Sequence, residues 1–340
     1  MLDARMMREA IRLSRRGYPA PNPHVGCVIS LKGEIVGRGY HDHAGGPHAE
    51  VEAIRDAGGR AAGATAYVTL EPCNHTGRTG PCSLALIEAG IRRVVIAAED
   101  PNPRAQGGRE RLAQAGVATE VGLLREEAEA VNRTFLHAIR TRRPYVVLKA
   151  ACSLDGRIAL PTGESQWITG PAARRAAHVL RAEMGAVLVG RRTVEMDDPV
   201  LTARIPGVVN QPLRVVLDPH ARLGPGYRVF NDDAPTLHLT AGKVAQGEDG
   251  FELDEVLEAV RAAGAIGLLV EGGARTHAAF LRRSLVNRLE IFLAPKTLGE
   301  GPSWVDGLLA PRLDELPRFT IQSVRRRRED LQVTLTPNPA

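Results

Sequence analysis

Short apolar runs alternate with amphipathic stretches twice along the chain, on either side of Thr141-Arg142-Arg143-Pro144. In the first series VGCVIS and EIVGRGY flank a Lys32-Gly33 turn and read as a β-hairpin. Strands at 66–71, 92–98 and 117–122 then alternate with helices at 82–90 and 107–116. Leu2, Met6, Ala10 and Leu13 recur at helical spacing ahead of Gly17, and HAEVEAIRDAG forms a helix that Gly58-Gly59 ends. A helix from about Glu126 to Arg140, with Ala128, Val131, Phe135 and Ile139 on one side, closes this half. The second series predicts strands at 145–152, 186–190, 213–218, 235–240, 267–273 and 289–295 and helices at 171–184, 253–264 and 274–285. A hairpin of 318–324 and 330–336 around Arg327-Arg328-Glu329 finishes it. Apolar strands bounded by amphipathic helices predict the α/β class, with mostly parallel sheets covered on both faces. Pro144 disfavours helix at the residue before it, so the domains are expected at 1–144 and 145–340.

A length of 340 residues suits two cores of that kind. The net charge of +5 comes from arginines scattered along the chain, and aromatic residues make up only 4%. With no basic arm and few stacking residues, no nucleic-acid partner is expected; a small acidic substrate such as a phosphate ester fits the charge equally well. No apolar stretch approaches the ~20 residues that span a bilayer. Charges interrupt the N-terminal helix, so no signal peptide and no membrane partner are expected, and the protein is expected in the cytoplasm. Cys27, Cys73, Cys82 and Cys152 are too few for a disulfide scaffold.

The stretch HAEVEA (48–53) has a bland reading as a helix start, where an acidic residue is favourable. TLEPCNHTGRTGPC supplies a sharper one, with Cys73 just after a strand and Cys82 just before a helix. One imidazole and two thiolates suit zinc, and three protein ligands leave the fourth position open, as in catalytic sites. Such a zinc lowers the pKa of its water to about 7. Glu50 then stands where a proton carrier is needed, because zinc deaminases combine H-x-E with P-C and a second cysteine, and their glutamate does not ligate the metal. His41, His43 and His75 are rival ligands, but the strand–turn placement of the cysteines favours Cys73 and Cys82. Cys27 reads as a core thiol.

PNPHVG (21–26), GYH-x-x-AG-x-PHAE (39–50) and TLEPCNHTGRT (69–79) resemble the deaminase half of the bifunctional riboflavin-biosynthesis deaminase/reductases. The resemblance implies a cytidine-deaminase-like three-layer domain acting on a diaminopyrimidinone that carries a phosphoribosylamino group. It also implies substrate contacts from Asn22, His75 and Arg78; an arginine in the loop between two metal ligands suits a phosphate-bearing substrate. Gly80 departs from the proline usual there.

The second half has neither a G-x-G-x-x-G nor a Walker loop. KAACSLDGRIA (149–159), GESQWITG (163–170), TVEMDDPVLTAR (193–204) and VEGG (270–273) resemble the reductase half of the same family. That half is dihydrofolate-reductase-like and uses NADPH to reduce the ribose to a ribityl chain. By position, Ser165, Arg181, Leu201, Arg204 and Glu271 match substrate contacts, with Lys149 in a supporting role. Ala151, Trp167, Thr193, Asp197 and the stretch from Gly273 to Ala279 match the cofactor side. Arg181 and Arg204 are the expected phosphate ligands, because guanidinium forks suit phosphate oxygens. The expectation is therefore a zinc deaminase (one Zn2+) followed by an NADPH-dependent reductase, assembled as a homo-oligomer, a dimer or tetramer. The rivals are a nucleoside or nucleic-acid base deaminase with an accessory binding domain, and a non-enzymatic zinc module. NADPH binding separates the first rival; the open fourth ligand position counts against the second.

Overall fold

The computed structural model describes residues 2–75, 80–247, 250–308, 312 and 315–338. The chain divides into two compact units, Met1–Arg142 and Arg143–Ala340. Among the described residues no helix is long and apolar enough to cross a membrane.

The first unit holds α1 (Leu2–Ser14), β1 (Gly26–Leu31), β2 (Glu34–Tyr40), α2 (Ala49–Ala57), β3 (Thr65–Val68), α3 (Cys82–Glu88), β4 (Arg93–Ile96), α4 (Gly108–Gln114), β5 (Ala118–Val121), α5 (Arg125–Val131) and α6 (Arg133–Thr141). Its sheet runs β2-β1-β3-β4-β5. β3, β4 and β5 pair in parallel, and β1 pairs antiparallel with both β2 and β3, so β1 alone runs against the other four strands. The reason is local: a two-residue turn forces the hairpin strands to be antiparallel. Alternate residues of β1 serve two cores. Cys27 and Ile29 face α2, α3 and α4 with Ala53, Leu86 and Leu112, while Val28 faces α1 with Met6, Met7 and Ala10. Helices thus cover both faces.

The single helix expected from Glu126 to Arg140 is two helices, broken at Asn132. There the side chain leaves the helical face to bracket the main chain of His24. Its Oδ1 accepts the His24 N–H at 2.8 Å and its Nδ2 donates to the His24 carbonyl at 2.8 Å.

The second unit contains β6 (Tyr145–Ser153), α7 (Pro171–Met184), β7 (Ala186–Gly190), α8 (Arg191–Asp197), β8 (Leu213–Leu217), β9 (Thr236–Leu239), α9 (Leu253–Ala262), β10 (Gly267–Val270), α10 (Ala274–Arg282), β11 (Arg288–Ala294), β12 (Phe319–Arg327) and β13 (Asp330–Pro337). The sheet order is β12-β13-β11-β6-β10-β7-β8-β9. From β11 to β9 every neighbour is parallel, and the closing hairpin joins antiparallel at one end. Odd residues of β6 (Tyr145, Val147) pack under α7, and even ones (Val146, Leu148, Ala150) pack with α9 and α10. Helix α8 occupies a stretch expected as loop. It is short and ends where Asp198 turns left-handed (φ 38°) before Pro199.

Candidate active sites

In the first unit, α2 is pressed onto the hairpin because β2 carries glycine where the helix crosses. A Cβ on Gly39 would stand 2.0 Å from the Ala49 carbonyl oxygen. This contact sets the start of α2, and with it His48 and Glu50. His48 occupies the N-cap position in extended backbone, yet its imidazole makes no capping hydrogen bond. His48 therefore does not cap the helix through its side chain. Instead His48 Nδ1 lies 3.1 Å from Cys82 Sγ and 3.6 Å from Cys73 Sγ.

The three donor atoms all lie within 4.8 Å of one another, and no other group of three such side chains stands out as metal-capable among the described residues. A tetrahedral zinc with S and N ligands needs donors roughly 3.5–3.8 Å apart, so the cluster fits. The Cys82 main-chain N–H donates to Cys73 Sγ at 3.4 Å. The hydrogen bond from Cys82 and the neighbouring His48 pull the Cys73 thiol down to about 4 against its burial, while the Cys82 thiol is raised and keeps its proton. The thiolate character of Cys73 is what a metal exploits first, and metal binding displaces the proton of Cys82.

Glu50, in the first turn of α2, is 3% exposed, and burial raises its carboxyl to about 7. It lines a cavity of about 190 Å³ together with Asn22, His41, His48, Cys73 and His75. His41 Nδ1 reaches the Pro47 carbonyl at 2.9 Å, so this nitrogen carries the proton and Nε2 accepts. The Asn22 amide nitrogen, 3.0 Å from Nε2, is then the donor, which leaves its oxygen for a ligand. His41 is thus a second support of the site rather than a metal ligand, and His43 contacts Asp42 instead. Arg78 lies outside the described residues.

Sequence reasoning missed Glu71, Asp100 and Asn102, which line the same cavity. Burial, with Glu71 adding to it, raises the Asp100 carboxyl to about 6. Glu71 and Asp100 follow the carboxyl ends of the parallel strands β3 and β4, where α/β sheets place ligands, and that signal was available.

In the second unit a cavity of about 490 Å³ gathers Lys149, Ser165, Arg181, Leu201, Arg204 and Glu271 with Trp167, Thr193 and Asp197. Residues assigned by resemblance to substrate and to cofactor therefore share one space, and Ser165 Oγ even donates to Asp197 Oδ1 at 2.9 Å. Ala151 and Gly273 are not in the lining of this cavity. Gly273 opens α10 with φ 62°, and a Cβ there would stand 3.7 Å from Thr193 Oγ1. Its neighbour Gly272 is obligatory: a Cβ would sit 2.5 Å from Val189 Cα. Glycine-capped main-chain N–H donors at this helix start, beside the Thr193 hydroxyl, suit a cofactor phosphate.

Arg181 differs from expectation. Its Nε and Nη2 form a fork on Glu271 (2.6 and 3.0 Å) and its Nη1 donates to the Thr202 carbonyl (3.0 Å), so the guanidinium is committed within the protein. Lys149 Nζ stands 3.6 Å from the same carboxylate. Burial opposes ionisation of Glu271, but Arg181 and Lys149 hold its carboxyl at about 2. Trp167 is 60% exposed rather than packed, with the Arg174 guanidinium 4.3 Å from its ring centre. Burial, then Arg181 and Arg204, hold His178 down to about 4, so it stays neutral. Arg174, His178 and Arg228 also line the cavity and were not anticipated, since none stands in a motif.

Residues 1–98 match the model for the "Cytidine and deoxycytidylate deaminase zinc-binding region", and residues 144–333 match the "RibD C-terminal domain". The riboflavin biosynthesis protein RibD of Aquifex aeolicus is 43% identical, over 98% of this chain and 98% of its own length. That of Escherichia coli is 41% identical over 96% of each. Among solved structures, RibD of Acinetobacter baumannii superposes with a TM-score of 0.89 at 37% identity, covering 99% of both chains. The deaminase/reductase of Thermotoga maritima reaches 0.88 at 34%, also over 99% of both. A base deaminase with an unrelated accessory domain does not account for the match over 144–333. The chain belongs to the RibD family, and its two units make it a bifunctional enzyme of riboflavin biosynthesis, a zinc-dependent deaminase joined to an NADPH-dependent reductase.

Proposed function

We propose that residues 1–144 deaminate a diaminopyrimidinone carrying a phosphoribosylamino group, and that residues 145–340 then reduce its ribose to a ribityl phosphate chain. The observation that carries the first step is the cluster of His48, Cys73 and Cys82 donor atoms, two of whose residues, His48 and Cys73, line one small cavity with Glu50. His48, Cys73 and Cys82 hold zinc, which supplies Lewis-acid activation of water. Glu50 carries two protons in turn. The first passes from the attacking water to the ring nitrogen, and the second from the hydroxyl so formed to the amino group, which departs as ammonia. Asn22, through its free oxygen, holds the ring, and His75 and Arg78 contact the substrate.

In the reductase, bound NADPH supplies the hydride. Trp167, Thr193, Asp197, Ala151 and Gly273 hold the cofactor. Ser165, Leu201, Arg204 and Glu271 hold the substrate, with Arg204 on its phosphate. Arg181 and Lys149 act through Glu271, fixing that carboxylate as a charged acceptor. The enzyme works in the cytoplasm, where reducing conditions keep Cys73 and Cys82 out of disulfides and available to the metal, and it assembles as a homo-oligomer, a dimer or tetramer.

The test is to supply purified protein with the diaminopyrimidinone phosphate, with and without NADPH. Ammonia release without NADPH, followed by NADPH oxidation when it is added, is expected. NADPH oxidation before any ammonia is released would reverse the proposed order.

A further inference from the structure

Three arginines line the reductase cavity without a carboxylate partner among the described residues. Arg174 lies over the Trp167 ring and donates to the Thr169 carbonyl, which leaves Arg204 and Arg228. Both are exposed. Among the described residues the Arg204 guanidinium has one hydrogen-bond partner, the Thr202 hydroxyl at 3.3 Å. Neither guanidinium has an ion-pair partner among the described residues, whereas Arg181 is committed to Glu271. The two come from separate segments, one following α8 and the other in a short 3-10 turn, Arg228–Phe230, after β8.

Those segments are tied together from below. Arg214 on β8 is fully buried, and its Nη1 donates to the Val200 carbonyl (3.4 Å), the Arg228 carbonyl (3.4 Å) and Asn231 Oδ1 (2.7 Å). Its Nη2 donates to the carbonyls of Asn231 and Ala234. The Arg228 N–H in turn donates to Asp198 Oδ1 at 2.7 Å, at the end of α8. Buried cation and carbonyls satisfy one another, and the result is a rigid floor under both loops. Burial, then the charges of Arg181 and Arg228, hold Arg204 below the usual arginine range. Like charges assembled at an open cavity are disfavoured unless an anion offsets them.

A phosphate monoester carries nearly two negative charges at neutral pH and presents three terminal oxygens. One guanidinium fork takes two of these oxygens and leaves charge over. We propose that Arg228 is a second phosphate ligand of the reductase, closing with Arg204 a two-guanidinium clamp on the substrate's phosphate. The inference rests on the reading of Arg204 as a phosphate contact. The 2′-phosphate of NADPH has the same chemistry, so the experiment must separate the two sources.

The measurement is the reductase KM for the deaminated phosphoribosyl substrate and for its phosphate-free counterpart, with the NADPH KM, in the wild type, Arg204→Ala, Arg228→Ala and Arg228→Lys. Arg228→Ala should raise the KM for the phosphorylated substrate about tenfold or more and shrink the ratio between the two substrates; lysine should recover part of it. An unchanged ratio in Arg228→Ala, or a rise in the NADPH KM in its place, overturns the proposal. If Arg204→Ala shrinks the ratio and Arg228→Ala does not, only this inference falls. If both leave it unchanged, the reading of Arg204 falls with it.

Discussion

Glu50 and Arg181 show how burial assigns work to single residues. Glu50 is nearly inaccessible, sits in a cavity wall and has no ion-pair partner among the described residues, so its proton is available for transfer. Glu50→Gln should keep zinc by metal analysis and lose deamination by at least about 10²–10⁴-fold; full ammonia release would remove Glu50 from the mechanism. Cys73→Ser and Cys82→Ser should instead lose the metal.

Arg181 belongs to the opposite case. Its fork on Glu271 is buried, so Arg181→Ala should destabilise the reductase unit by about 3–5 kcal/mol, a fall in Tm of roughly 10 °C. The pH dependence has a definite sign. The Glu271 carboxyl is held at about 2, so its contribution is complete above the unfolded carboxylate value of about 4.3 and is lost as pH falls toward 2. Acid titration followed by circular dichroism should show the transition of Arg181→Ala starting at higher pH than wild type. A substrate-KM effect with no change in Tm or acid midpoint would return Arg181 to the phosphate.

At the scale of elements, the break between α5 and α6 was invisible to a periodicity that continued through it. Ala128, Val131, Phe135 and Ile139 keep helical spacing, but Asn132 turns aside because the His24 main chain, 108 residues earlier, offers it two hydrogen bonds. The contact steadies the loop that carries Asn22. Asn132→Ala should therefore lower stability by at least about 1–3 kcal/mol through unpaired main-chain groups. It should also raise the deaminase KM while NADPH oxidation by the reductase is preserved. Equal losses in both activities would mark a general folding defect instead. Helix α8 escaped notice for a different reason: in TVEMDDPVLTAR the acidic pair and proline resemble a turn, and its one buried apolar residue, Val194, is too little pattern to read.

For the whole molecule, each compact unit carries its own site. Among the described residues, those lining the cavity around Glu50 all come from the first unit and those lining the arginine-rich cavity all come from the second. We therefore expect a strong zinc chelator to abolish ammonia release while leaving NADPH oxidation of the deaminated substrate intact. Expressed separately, 1–144 should deaminate and 145–340 should reduce. Two folded but inactive halves would show that each activity depends on the other half.

The zinc donors, Glu50 and the alternation of strands and helices were legible along the chain because their information is local. H-x-E fits into a single helix start, Cys73 and Cys82 flank one strand–helix connection, and apolar periods report burial one element at a time. What tertiary structure alone decided are pairings across distant segments. Arg181 meets Glu271 across 90 residues and Ser165 meets Asp197 across 32. Arg214 binds the loops of Arg204 and Arg228 onto one floor. These meetings depend on the strand order β11-β6-β10-β7-β8, which brings carboxyl ends far apart in sequence to one edge of the sheet. No local period encodes that order, because it is set by which apolar faces pack together and by the right-handed crossovers that join parallel strands.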